Sequence, residues 1–210
     1  GDKPVPQFVF GVNQDEYDGE DIVSGASCTT NSVSLPMHVL IEEFGVNSAE
    51  MTTIHAYTGS QSIVDGPKSK VRRGRAGAEN IVPTTTGAST ATTDILPELE
   101  GNFEGMAVRV PTAAGSITEI VADLSGNPGP EAINDALREY ANGELEGSMG
   151  ATSDEIVSSD IVGSGYSALV DLPCTMAIGT HTLKVLAWYD NEWGYARRVV
   201  DLAELVGANA

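Results

Sequence analysis

From Val33 onward, Val33, Met37, Leu40, Ile41 and Phe44 recur at three- and four-residue spacing, and Gly45 follows. That spacing predicts a helix opening near Cys28 and stopping at Gly45. Period-two and β-branched stretches predict strands at Phe8–Val12, Ile22–Val23, Glu50–Tyr57, Gly105–Thr112, Ser116–Leu124, Leu145–Thr152, Ser167–Leu172 and Leu183–Tyr189. Further helical patterns cover Ser89 to Leu99, then Pro130 to Ala141 with Ile133, Ala136, Leu137 and Tyr140 as the apolar stripe, then Tyr195 to Val206. Residues 59–80 fit neither period. They form a long, glycine-bearing, irregular segment.

The join between residues 21–26 and the first predicted helix carries Ser27-Cys28-Thr29-Thr30-Asn31. Ser27 is a candidate N-cap, which sets Cys28 beside free amides at the positive end of a helix dipole. Such a place favours thiolate and can hold an oxyanion. By itself a lone cysteine is more often a small packing residue. His55 falls near the end of the next strand, where a helix opening at Cys28 could meet it at one sheet edge. A single strand histidine is otherwise a packing residue.

Other charged positions bear on the same question. Lys68, Lys70, Arg72, Arg73 and Arg75 form the chain's basic cluster, inside the irregular segment. Cations gathered there suit either an anionic ligand or a partner's acidic surface. Pro83-Thr84-Thr85-Thr86-Gly87-Ala88 opens a helix and offers hydroxyls and amides to an anion. Arg109 sits inside an apolar strand, so it is either paired or aimed at an anionic substrate. Cys174, among Leu172, Pro173 and Met176, reads as structural. His38, His55 and His181 are too scattered for a metal site, and no Gly-x-Gly-x-x-Gly follows a strand.

The 210 residues are 41% hydrophobic, enough for one sizeable core, and hold 30 acidic against 11 basic residues for a net charge of −19. That balance excludes a nucleic-acid-binding surface as the main function. The acids are scattered rather than gathered in a tail, as expected of a surface hydrated in a high-salt cytoplasm. Stability that rises from low to molar KCl is the measurable consequence. No apolar run has transmembrane length, and two cysteines make no disulfide framework, so a reducing cytoplasmic setting without membrane contact is expected.

Five segments taken in order then carry a resemblance. They are Ser27-Cys28-Thr29-Thr30-Asn31, Thr53-Ile54-His55-Ala56-Tyr57-Thr58, Pro83-Thr84-Thr85-Thr86-Gly87-Ala88, Met106-Ala107-Val108-Arg109-Val110-Pro111-Thr112 and Trp188-Tyr189-Asp190-Asn191-Glu192-Trp193-Gly194-Tyr195. Together they closely resemble phosphorylating glyceraldehyde-3-phosphate dehydrogenases of the bacterial and eukaryotic type. The resemblance implies an α+β fold, a mostly antiparallel mixed sheet with helices on one face, lacking most of the N-terminal Rossmann domain. Residues 1–27 would be trailing strands of that missing domain and 28–194 the catalytic and tetramerisation domain. Residues 195–210 would form a helix packing back on the absent part.

It further implies Cys28 as nucleophile and His55 as base. Thr58 and Arg109 would bind the substrate phosphate, while Ser27, Thr29, Thr86 and Gly87 would bind the attacking inorganic phosphate. Arg72, Arg73 or Arg75, in the family's S-shaped loop, would add an anion-binding arginine; Arg73 and Arg75 are the favoured pair. Asn191 and Tyr195 would touch NAD or NADP, whose main binding domain is expected outside this chain, and no metal is expected. The implied partners are glyceraldehyde 3-phosphate, phosphate and further copies in a homotetramer. The chain alone is expected to be inactive. Ser60, where the family often has Asp, keeps another phosphorylated aldehyde such as erythrose 4-phosphate open as substrate. Gly25 in place of the usual Asn is expected to loosen the approach to Cys28, and Ser32 replaces a second cysteine. An inert oligomerisation module is the reading from outside enzymology.

Overall fold

The computed structural model describes residues 5–209; the first four residues of the expected N-terminal segment lie outside these. A long helix, α1 (Cys28–Phe44), is followed directly by β1 (Val46–Ala56). Gly45 makes the junction at φ 65, a conformation glycine adopts at little cost. β2 (Val82–Thr85), α2 (Ala88–Ile95), β3 (Phe103–Val110) and β4 (Ser116–Leu124) come next. After them run α3 (Pro130–Ala141), β5 (Met149–Thr152), β6 (Ala168–Asp171), β7 (Met176–Ile178), β8 (Thr182–Tyr189) and α4 (Trp193–Ala208).

The strands make one eight-stranded sheet in the order β2-β3-β1-β4-β8-β6-β5, with β7 added beside β8. β1 pairs with β3, and β5 with β6, in parallel; the remaining pairings are antiparallel. This is the expected mixed, mostly antiparallel α+β sheet. Alternation fixes its faces. Ile120, Ala122 and Leu124 of β4 and Leu183, Val185 and Ala187 of β8 point into the core, and the residues between them are half-buried on the other face.

Helix α1 crosses this core face between α2 and α3, touching β1, β4, β6 and β8. Thr29 through Met37 are consequently all buried, far more than a single apolar stripe requires. The three-four spacing found the helix but not its central position.

The strands expected at Phe8–Val12 and Ile22–Val23 do not form. One bridge joins Gln7 to Ser24, and Gly11 (φ 90) turns the chain into a single 3-10 turn at Gln14–Glu16. The apolar run has another purpose: Phe8 and Val9 are buried, and Val9 belongs to this domain's own core. The helix expected to reach Leu99 leaves α geometry at Leu96, because Pro97 disfavours it there, and continues as the 3-10 turn Pro97–Leu99. β5 begins only at Met149, since residues 142–148 fold as turns, and β7 was not foreseen. α4 starts two residues earlier than expected. It turns Gly194, Arg198 and Leu202 inward while Trp193, Val199 and Val200 stay exposed.

Candidate active site

The start of α1 and the parallel ends of β1 and β3 converge. Parallel register sets His55 of β1 directly beside Arg109 of β3, and α1 brings Cys28 over both. Ser27 caps α1 as expected: its hydroxyl accepts from the Thr30 amide at 3.0 Å. Ahead of the cap, Ala26 sits at φ 57, a left-handed conformation unusual for a residue with a side chain. Asn31 holds this bend by donating to the carbonyls of Gly25 (2.8 Å) and Ser27 (2.9 Å). The approach to Cys28 is therefore clamped rather than loose, although Gly25 replaces the family's Asn.

Cys28 Sγ lies 3.6 Å from His55 Nε2. On the far side of the ring, His55 Nδ1 lies 2.7 Å from the Ala56 carbonyl, which can only accept. The shorter of the two Nδ1 contacts, to this carbonyl, favours the proton on Nδ1 over the opposing donor Arg109 Nη1, and with the proton there the Nε2 lone pair faces the thiol. Arg109 Nη1 donates to the Ala56 carbonyl at 3.0 Å and to Thr58 Oγ1 at 3.1 Å. It also stands 3.1 Å from His55 Nδ1. Burial, and then the Arg109 charge, hold the His55 imidazole down to about 4, so the ring is neutral at pH 7.

Burial also pushes the Cys28 thiol up; hydrogen bonds from Thr29 and the Arg109 charge pull the other way without prevailing. The amides at the start of α1 favour the thiolate, as the local sequence indicates, while desolvation by burial acts in the opposite direction and is the larger influence.

A cleft of ≈ 410 Å³ opens in front of Cys28, with His55, Arg73, Arg109, Thr86 and Gly87 in its wall. Arg73 reaches in from the irregular segment, donating to Thr84 Oγ1 (3.0 Å), the Thr85 carbonyl (3.2 Å) and Ser60 Oγ (3.4 Å). Ser60 in turn lies 2.9 Å from Thr58 Oγ1. Arg75 does not come in; it pairs with Asp65 at 2.8 Å outside the cleft. Of the two favoured arginines, Arg73 alone is at the site.

Thr86 uses its hydroxyl to accept from the Ala88 amide at the start of α2. A side chain at Gly87 would project into open space, and Gly87 lies in the cleft wall. The Ser27 and Thr29 hydroxyls are already engaged, Ser27 in the cap and Thr29 with Tyr189 OH at 3.0 Å. Both residues line the cleft, and accepting in the cap leaves the Ser27 O–H able to donate.

Asn191 and Tyr195 stand beside the cleft rather than in its lining. Ser116 Oγ accepts from the Ala56 amide (3.1 Å) and donates to Asn191 Oδ1 (3.0 Å), tying Asn191 to the end of the His55 strand. Tyr195 OH donates to the Ala26 carbonyl at 3.2 Å. Asp190 accepts from the amides of Gly163, Glu192 and Trp193, fixing this corner.

Sequence reasoning assigned no role to Asn31, Ser116 or the fully buried Tyr189. They stand at ordinary positions in a motif or a strand, and only the fold aims them here. Among the described residues no group of three His, Cys, Asp or Glu could hold a metal. No described helix is long and apolar enough to cross a membrane.

Against known proteins, residues 27–191 match the family model for the glyceraldehyde 3-phosphate dehydrogenase C-terminal domain. A glyceraldehyde-3-phosphate dehydrogenase of Haloarcula vallismortis is 57% identical over 206 residues, covering 98% of this chain and 61% of that relative. Glyceraldehyde-3-phosphate dehydrogenase 2 of Streptomyces avermitilis is 49% identical, covering 95% and 60%. Glyceraldehyde-3-phosphate dehydrogenase B of Aspergillus oryzae is 44% identical, covering 97% and 61%. The chain thus spans about three fifths of the length of the curated relatives it matches. Its order of motifs, its sheet and its Cys28–His55–Arg109 cluster agree with that match: the chain belongs to the glyceraldehyde-3-phosphate dehydrogenase family, through its C-terminal domain.

Proposed function

We propose that this chain supplies the acyl-transfer half of a phosphorylating glyceraldehyde 3-phosphate oxidation, yielding 1,3-bisphosphoglycerate in a cytoplasmic glycolytic or gluconeogenic setting. The observation that carries it is Cys28 Sγ at 3.6 Å from an acceptor nitrogen of His55 inside a cleft walled by arginines. His55 Nε2 takes the thiol proton as Sγ attacks the aldehyde carbon, and returns it to the oxygen, giving a hemithioacetal on Cys28. A bound nicotinamide cofactor, NAD or NADP, would supply the hydride acceptor. His55 is placed to take the hydroxyl proton as the hemithioacetal is oxidised to a thioester. Inorganic phosphate then attacks the thioester carbon, and Cys28 departs to be reprotonated by His55.

Arg109 and Thr58 suit the substrate phosphate, and Arg73 with the Gly87 amide suits the incoming one. Asn191 fits a carboxamide: Ser116 fixes its Oδ1 and leaves Nδ2 to donate. Assembly as a homotetramer is supported by exposed Ile63, Val64, Val71 and Ile81 in and beside the irregular segment, with Ile63 at 91% exposure. The dense acidic surface supports adaptation to high salt.

The test joins this chain to a dinucleotide-binding domain and follows NAD(P) reduction with glyceraldehyde 3-phosphate and phosphate. Turnover should require both phosphate and Cys28. Turnover that survives Cys28→Ser, or runs equally well without phosphate, overturns the reading.

A further inference from the structure

The cleft holds one cation that neither motif nor mechanism has used. Lys70 lies in its wall, and Lys70 Nζ donates to Thr85 Oγ1 at 2.8 Å. Thr85 ends β2, one residue before Thr86 and two before Gly87. Arg73 reaches the same strand end through Thr84 and the Thr85 carbonyl, but it also reaches Ser60 on the Thr58 side. Lys70 is committed to the Thr85 side alone.

The charge balance of the cleft points to what is bound there. The chain has 30 acidic residues against 11 basic ones, so acids are plentiful enough to pair with the cations of the cleft. Yet among the described residues no carboxylate comes within ion-pair distance of Lys70, Arg73 or Arg109. Their hydrogen bonds go to neutral hydroxyl and carbonyl oxygens. Arg109 Nε is moreover buried with no partner at all. Arg109, with its buried orphaned donor, thus converges with Arg73 and the exposed Lys70 in a cleft that no carboxylate neutralises, a setting suited to anions.

We propose that Lys70 is a ligand of the inorganic phosphate that attacks the Cys28 thioester, beside Thr86 and Gly87. Arg109, held at the His55 and Thr58 side, serves the phosphate of the substrate instead. Lys70 suits a nucleophile that must arrive and then leave within the product, because an ammonium is a point charge on a flexible stem. Its bond to Thr85 parks the stem at the subsite when phosphate is absent. This assignment rests on the acyl-transfer reading above, and names which side chain sets its phosphate requirement.

The experiment follows alkylation of Cys28 by iodoacetamide, read on its peptide by mass spectrometry, while inorganic phosphate is titrated at constant ionic strength. Phosphate in the subsite shields the thiol, and the midpoint of that protection is independent of any change in absolute rate. Lys70→Gln should raise the midpoint about tenfold, the size of one charge-assisted hydrogen bond partly exposed to water. Lys70→Arg, which keeps the charge, should recover most of it. A wild-type midpoint in Lys70→Gln, with a raised one in Arg73→Gln, overturns the role of Lys70 and leaves the acyl-transfer reading standing. If neither variant moves the midpoint, or phosphate gives no protection, the anion site itself is wrong and both fall together.

Discussion

Cys28 and Cys174 are the chain's two thiols, both half-buried, both pushed up by burial, and set in opposite electrostatic company. Around Cys28, Thr29 hydrogen bonds and the Arg109 charge oppose the burial, and His55 Nε2 stands ready to take the proton. Cys174 closes a 3-10 turn with no side-chain cap, and the Asp171 carboxylate beside it adds to the burial. An acid neighbour keeps that sulfur protonated, whereas a base and a cation prepare the other to lose its proton on demand. The contrast lies in the neighbours: a base and a cation at Cys28, a carboxylate at Cys174.

The sharpest way to break this comparison is to remove the base. His55→Asn should slow iodoacetamide alkylation of Cys28 at pH 7 on the order of a hundredfold and leave Cys174 unchanged. A loss below about twofold would mean that the 3.6 Å approach does not transfer a proton.

Burying a neutral histidine should also appear as acid sensitivity. The folded protein binds the His55 proton only near pH 4, whereas the unfolded chain binds it near the ordinary 6.5. Between those values the unfolded state holds more protons, so stability falls as pH falls from 6.5 and this loss ends near 4. Its full size is about 3 kcal/mol. Denaturant midpoints measured at pH 7 and pH 5 should diverge in the wild type and converge in His55→Asn. Equal divergence in both proteins would assign the acid sensitivity to other groups.

The smallest effect concerns the cap that sets Cys28 in place. Ser27→Ala removes the hydroxyl that accepts from the Thr30 amide. It should cost about 1 kcal/mol in urea unfolding. The uncapped turn at Cys174 offers no equivalent to lose.

Elements whose pattern and ends are local were legible in the sequence. β4 runs from Ser116 to Leu124 as its alternation dictates, and Gly45 and Ser27 bound α1 because cap and stop are local devices. The resemblance picked out Cys28, His55 and Arg109, since those residue types recur within extended motifs. Tertiary structure decided what depends on neighbours distant in the chain. Parallel register, a property of two strands, sets Arg109 against His55. At Gly11 (φ 90) the apolar run bends close under Leu145, where a side chain would not fit, and Val9 packs in the core. Loop packing sent Arg75 to Asp65 and brought Arg73 and Lys70 inward, though the three cations lie close together in sequence. Burial pushes the Cys28 thiol up against the amides, because desolvation is set by everything packed around α1, and a local motif records only the amides at its start.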